Sequence, residues 1–137
     1  MPQQTSLINP IGFKIHWMKL REAKSAEIIW EASDNLTFPN EELRAWMPKT
    51  CGRIIREVNF STVRPMNWFR MEQKLFLKDR LFNEWSFESS SVGERTLTAP
   101  ELLKLPVEIF NGDIVLETKF FYQNNPIASN RIRFFID

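Results

Sequence analysis

Seven short segments in which apolar and polar residues alternate constrain this chain more than any other feature: GFKIHWMKL, EIIW, RIIREVNF, FRMEQKLFLK, LFNEWSFE, DIVLETKFFY and NRIRFFI. Side chains on a strand point to opposite faces in turn, so each segment offers a face of large apolar groups for burial. The stretches FPNEE, MPKTCG, SSSVGER and YQNNP carry turn formers and separate the segments, which is the rhythm of a mostly antiparallel sandwich or barrel. Two places read differently. WMKLREAKSAEII is rich in helix formers and lacks the Gly or Asn-Gly of a tight hairpin, so propensity alone predicts a helix there. Thr98, Ala99, Pro100 and Glu101 fit a capping box before LLK, with Pro106 as a stop, and predict a short helical connector.

A chain of 137 residues is one ordinary domain, able to bury roughly 68% of its unfolded surface. Residues 1–11, polar at the start and holding two prolines, read as a loose arm, and residues 12–137 as the domain. Twelve Phe and five Trp supply a large core, whereas four Gly leave little room for phosphate-cradling loops. A net charge of +1, from 18 basic and 17 acidic residues, gives no electrostatic footprint for nucleic acid or an anionic membrane. The single Cys51 has no partner for an intramolecular disulfide, and no secretory pattern opens the chain, so a cytoplasmic protein is expected. No apolar run approaches the roughly 20 residues of a membrane helix, and neither MPQQ nor FFID offers a lipidation site, so stable membrane insertion is not expected.

Polar residues interrupt several apolar faces. Gln73 shares a face with Phe69, Met71, Leu75 and Leu77, and Arg56 shares one with Ile54, Val58 and Phe60, while Arg53, Glu57 and Asn59 lie opposite around Ile55. Thr118 falls among Ile114, Leu116, Phe120 and Tyr122, with Glu117 and Lys119 pointing away. The last strand groups Ile132, Phe134 and Ile136 against Arg131 and Arg133. Burying such polar groups without partners costs about 1 to 3 kcal/mol each, more for a charge. Either a neighbouring carboxylate or carbonyl satisfies them, which the pattern alone favours, or they face a ligand cavity.

Catalytic chemistry has little to build on. His16 is the only histidine, set between Ile15 and Trp17 with no nucleophile motif elsewhere, and reads as structural. One Cys and one His exclude the usual zinc ligand sets, and neither GxxxxGK[ST] nor GxGxxG occurs, so no metal or cofactor is expected. Glu41 and Glu42, close to Pro39, read as solvated surface, and Ser89 to Ser91 as a loop.

The ordered segments GFKIHWMKLREA, IIWE, REVNFS, MNWFRMEQKLFLK, NEWSFE, LETKFF and SNRIRFFI resemble the family of prenyl-binding protein delta, the delta subunit of the rod cyclic-nucleotide phosphodiesterase, from Gly12 to the C-terminus. A sister branch binds myristoylated peptides in the same fold, and GFKIHWM, EQK and ETKFF sit closer to the prenyl-binding branch. The resemblance implies an all-β, immunoglobulin-like β-sandwich with an internal hydrophobic lipid pocket for a farnesyl or geranylgeranyl chain. It implies a non-enzymatic solubilising and trafficking factor for prenylated small GTPases and other prenylated proteins, with GTP-bound Arf-like GTPases as release factors and an association with the cilium or flagellum. It also implies that WMKLREAKSAEIIW forms two strands and a turn.

Positions matching the family's pocket wall are Met18, Leu20, Trp30, Leu36, Trp85, Leu116, Thr118, Phe120, Ile132 and Phe134, while Arg56 and Gln73 match its two polar pocket positions. Leu75, on the Gln73 face, joins them. Ile136 belongs to the same set but stands where the prenyl-binding branch has a tyrosine, which removes a hydroxyl, and Asn83 stands at a family glutamate near the mouth. The segment PKTCGRII and the loop from Ser89 to Pro106 are shorter than their counterparts, so Cys51 has no matched pocket position. Two rival readings follow from the residues alone: an immunoglobulin-like protein-binding scaffold with a solid core, and a small hydrolase built on His16 or a carboxylate pair.

Overall fold

A computed structural model describes residues 11–48, 53–98, 103–104 and 112–136. Every regular element among the described residues is a strand: β1 (Lys14–Glu22), β2 (Ile28–Ala32), β3 (Leu43–Met47), β4 (Arg53–Leu77), β5 (Arg80–Thr98), β6 (Leu103–Lys104), β7 (Ile114–Tyr122) and β8 (Asn125–Ile136). They run in the order β2-β1-β4-β7-β8-β3, with β5 and β6 also paired to β4.

The length of β4 produces the two layers. Its first half pairs with β1, from Lys14 opposite Ser61 to Glu22 opposite Ile54, and its second half with β7, from Phe69 opposite Tyr122 to Leu77 opposite Ile114. On its other edge, β5 follows it from Glu57 to Leu77. Pairing slips between Thr62, Met66 and Phe69, around Pro65, which has no N–H to give to a ladder. Past this bend the strand belongs to the second layer, and the inner faces of the two layers pack on each other in an immunoglobulin-like sandwich. Phe13 and Phe60 from the first layer meet Phe120 of the second at 5.0 and 5.5 Å between ring centroids.

The propensity-based helix at WMKLREAKSAEII is not formed. β1 and β2 take its place, as the resemblance implies, joined by a turn in which Ala26 N–H donates to Glu22 O at 2.8 Å with Ala26 at a φ of 65°. Helix propensities differ by only tenths of a kcal/mol per residue, less than the burial of Met18 and Leu20 between the layers provides. A register shift between Ile15 and Trp17 moves the inward phase from Phe13 and Ile15 to Met18 and Leu20.

Three further expectations need correction. RIIREVNF and FRMEQKLFLK are one continuous strand rather than two, because β5 bridges the bend. SSSVGER, expected as a loop, lies inside β5, with Ser89 opposite Phe69 and Gly93, at a φ of 72°, opposite Thr62. Leu103 and Lys104, expected in a capped helix, pair as β6 with Ile54 and Arg53; the rest of that stretch through Pro106, apart from Thr98 at the end of β5, lies outside the described residues, as do residues 1–10 and Cys51. YQNNP does turn the chain, with Gln123 and Asn124 both at positive φ, the backbone of a two-residue hairpin.

Candidate functional site

The interior between the layers has an aromatic end and a polar middle. Phe13, Phe60, Phe69 and Phe120 form the first, with centroid separations from 5.0 to 6.0 Å. The second follows from register: Gln73 lies opposite Thr118, and Thr118 opposite Asn130, so one row crosses β4, β7 and β8 on the inner face. Arg56 descends on this row from the first layer. Its Nη1 donates to Gln73 Oε1 at 3.1 Å, and its remaining contacts are sulfurs, Met71 Sδ at 3.8 Å and Met18 Sδ at 3.6 Å.

The guanidinium is 1% exposed and makes no ion pair among the described residues. Burial therefore pulls its pKa down to about 10, which still leaves it charged at neutral pH. Its Nε, Thr118 Oγ1 and Asn130 Oδ1 are buried without hydrogen-bond partners. Of the two explanations open from the sequence, partnering within the protein accounts for Gln73 Oε1 and Arg56 Nη1, and leaves these three atoms unaccounted for.

Of the residues expected in the site, Met18, Leu20, Leu36, Arg56, Gln73, Leu75, Leu116, Thr118, Phe120, Ile132 and Phe134 are all buried, none more than 4% exposed. Trp30 and Trp85 are half-buried beside that core. Trp30 donates its indole N–H to Arg44 O at 2.8 Å, tying β2 to β3, and Trp85 lies opposite Gln73 on β5. Ile136 pairs through its backbone with Met47, and Asn83 is exposed.

Three buried polar residues escaped the sequence reading, among them Thr62, which continues the inward face of Arg56, Val58 and Phe60. Asn130 continues the inward alternation of Ile132 and Phe134, and that parity was the available signal. Asn59, placed on the outward face, is nonetheless buried, with its Nδ2 donating to Thr96 Oγ1 at 3.0 Å.

Neither catalytic reading gains from the geometry. His16 Nε2 lies 2.7 Å from Ser61 Oγ, but among the described residues no carboxylate bonds the other ring nitrogen to fix a tautomer. Glu42 is gripped by Arg133, Nε to Oε1 at 2.8 Å and Nη2 to Oε2 at 3.0 Å, with Arg131 Nε 3.4 Å away. The bonds from Arg133 hold its carboxyl below its ordinary range, opposite to what a general acid at neutral pH needs. Among the described residues no cluster of His, Cys, Asp and Glu is placed to hold a metal ion, and no helix is long and apolar enough to cross a membrane. A family model described as GMP-PDE, delta subunit, matches residues 8–136.

Proposed function

This chain belongs to the GMP-PDE, delta subunit, family, and from that premise we propose that it is a non-enzymatic carrier that shields the prenyl group of farnesylated or geranylgeranylated proteins from water. Its cargo is prenylated small GTPases and other prenylated proteins. The observation that carries this reading beyond the family match is Arg56, a buried cation set between apolar sheets with one amide oxygen for company. A solid-core scaffold gains nothing from such a group, whereas a lipid site needs a few polar groups to orient a cargo whose chain offers none.

Parting of the inner faces admits the isoprenoid among Met18, Leu20, Leu36, Leu116, Phe120, Ile132 and Phe134, with Leu75, Trp30, Trp85, Thr118 and Ile136 completing the wall. Burying roughly 300 Å² of prenyl surface at about 25 cal/mol per Å² yields a gross gain of order 7 kcal/mol before ordering costs. Selectivity rests on the polar part of the cargo, met by Arg56 and Gln73. Release is promoted by GTP-bound Arf-like GTPases, and linkage then requires cargo and GTPase to weaken each other's binding by the same factor.

The test is native mass spectrometry with a farnesylated, carboxymethylated peptide, its unprenylated form and an N-myristoylated peptide. One farnesylated peptide per chain, with none of the unprenylated form, is expected. Preference for the myristoylated peptide moves the chain to the sister branch, and no uptake of either lipid overturns the carrier reading.

A further inference from the structure

Asn130 is a polar interior residue that neither the sequence reading nor the family's two polar positions account for. The orientation of its amide is fixed chemically: Nδ2 lies 2.9 Å from Leu36 O, and a carbonyl oxygen only accepts, so the NH2 must face Leu36. Oδ1 is thereby turned to the other side, buried and without a donor, in a residue 3% exposed. Across the interior stands the complementary deficit, Arg56 Nε, a buried donor without an acceptor. Met18 Sδ lies between the two side chains, 3.7 Å from Asn130 Nδ2 and 3.6 Å from Arg56 Nη2. Arg56 and Asn130 thus approach the same methionine from opposite layers, one carrying an unpaired donor and the other an unpaired acceptor.

This pairing discriminates among ligand groups. A carboxylate satisfies Arg56 but sets its charge against Asn130 Oδ1. An ester satisfies Arg56 and has no hydrogen to give. A secondary amide carries an N–H and a C=O that point in opposite directions, which suits an acceptor in one layer and a donor in the other. Resting on the carrier reading above, we propose that Asn130 is a specificity-determining residue that receives the amide N–H of the lipidated residue of the cargo, while the carbonyl of that amide takes the Arg56 Nε–H.

Two ligands test this directly: N-acetyl-S-farnesylcysteine methyl ester, and the analogue in which an ester oxygen replaces its amide N–H. Titration calorimetry on the full chain is expected to show the amide binding about tenfold more tightly, the range of one buried hydrogen bond and the acceptor it leaves unpaired. Asn130→Leu, close in size, is expected to erase most of that preference by weakening the amide alone. Ser129→Ala, its neighbour on the opposite face of β8, across from Lys119, is expected to retain it. Equal affinity of the two ligands for the unaltered protein overturns the proposal, and that comparison requires no variant to fold. A preference that survives Asn130→Leu, or one lost in Ser129→Ala, also overturns the assignment to Asn130. Failure of both ligands to bind sinks the carrier reading itself, whereas equal binding sinks only the role of Asn130.

Discussion

Replacing Arg56 with methionine should leave the stability of the lipid-free protein nearly unchanged, an unusual result for a fully buried residue of this size. A guanidinium pKa lowered to about 10 by desolvation means that burial works against the cation by about 3 kcal/mol. Methionine removes that penalty and fills the volume with a long, adaptable side chain beside Met18 and Met71. The substitution also takes the donor from Gln73 Oε1, which costs about 1 to 3 kcal/mol. The two effects oppose each other, so the net change should stay within about 2 kcal/mol. Gln73→Leu does the reverse: it strips a buried cation of its oxygen acceptor and should cost about 2 to 3 kcal/mol. Arg56→Met combined with Gln73→Leu should then be more stable than Gln73→Leu alone, because neither polar group is left without the other. Urea denaturation of the four proteins at pH 7 closes the cycle. A loss of about 4 kcal/mol or more in Arg56→Met, the range of a large core truncation, would show that the guanidinium stabilises the fold and refute the reasoning.

Two other expectations concern the outer shell. The folded-state pKa of Glu42 is depressed below 4.5 by its bonds from Arg133, so its stabilisation is complete above that value and is lost as pH falls through the folded pKa. Screening at this half-exposed site limits the effect to about 0.5 to 1 kcal/mol, and Glu42→Gln should lower stability by that amount at pH 7 and by progressively less as pH falls through the acid range in urea denaturation. Gly12 has a φ of 66°, and an added Cβ would stand 2.6 Å from Val63 Cγ2. Gly12→Ala should therefore cost about 1 to 2 kcal/mol, read as a lower thermal midpoint.

The strands were legible in the sequence because burial obeys the period-2 alternation, and it did so even where helix propensity opposed it, at Met18 and Leu20. The union of two segments into β4 was not legible, since Pro65 and Asn67 carry the local chemistry of a turn and the bridging partner β5 lies far along the chain. Arg56 and Gln73 announced themselves as breaks in apolar faces. Their hydrogen bond did not, because it joins residues 17 apart on opposite layers, a relation that only the bend of β4 creates. Asn130 went unnoticed for a different reason. It opens its segment after Ala128 and Ser129, so it reads as the polar edge of a loop until its register opposite Thr118 is known. Asn59 obeyed its parity and is still buried, which period alone does not foresee.

The distribution of polar contacts explains how such an interior is tolerated. Arg21 with Glu57, Arg131 with Glu117 and Arg133 with Glu42 all form on the outward faces, across neighbouring strands or from a strand to a loop, and none spans the interior. Backbone ladders likewise run within each layer, and β4 and β5 carry the chain from one to the other at a single bend. Contact between the layers therefore consists of side-chain packing, the Arg56–Gln73 bond, the reach of Asn130 to Leu36 O and, at the edge, the bonds of Trp30 to Arg44 O and of Ile15 and Ser129 to Thr37. An aliphatic chain that wedges between the faces replaces apolar contacts with apolar contacts and leaves the ladders whole. The polar atoms stranded there, Arg56 Nε, Thr118 Oγ1 and Asn130 Oδ1, are the part that an aliphatic chain cannot satisfy. The proposed carrier function accounts for such an interior: a cargo greasy along its length would leave the sheets apart, and the polar groups at its end would meet the stranded atoms.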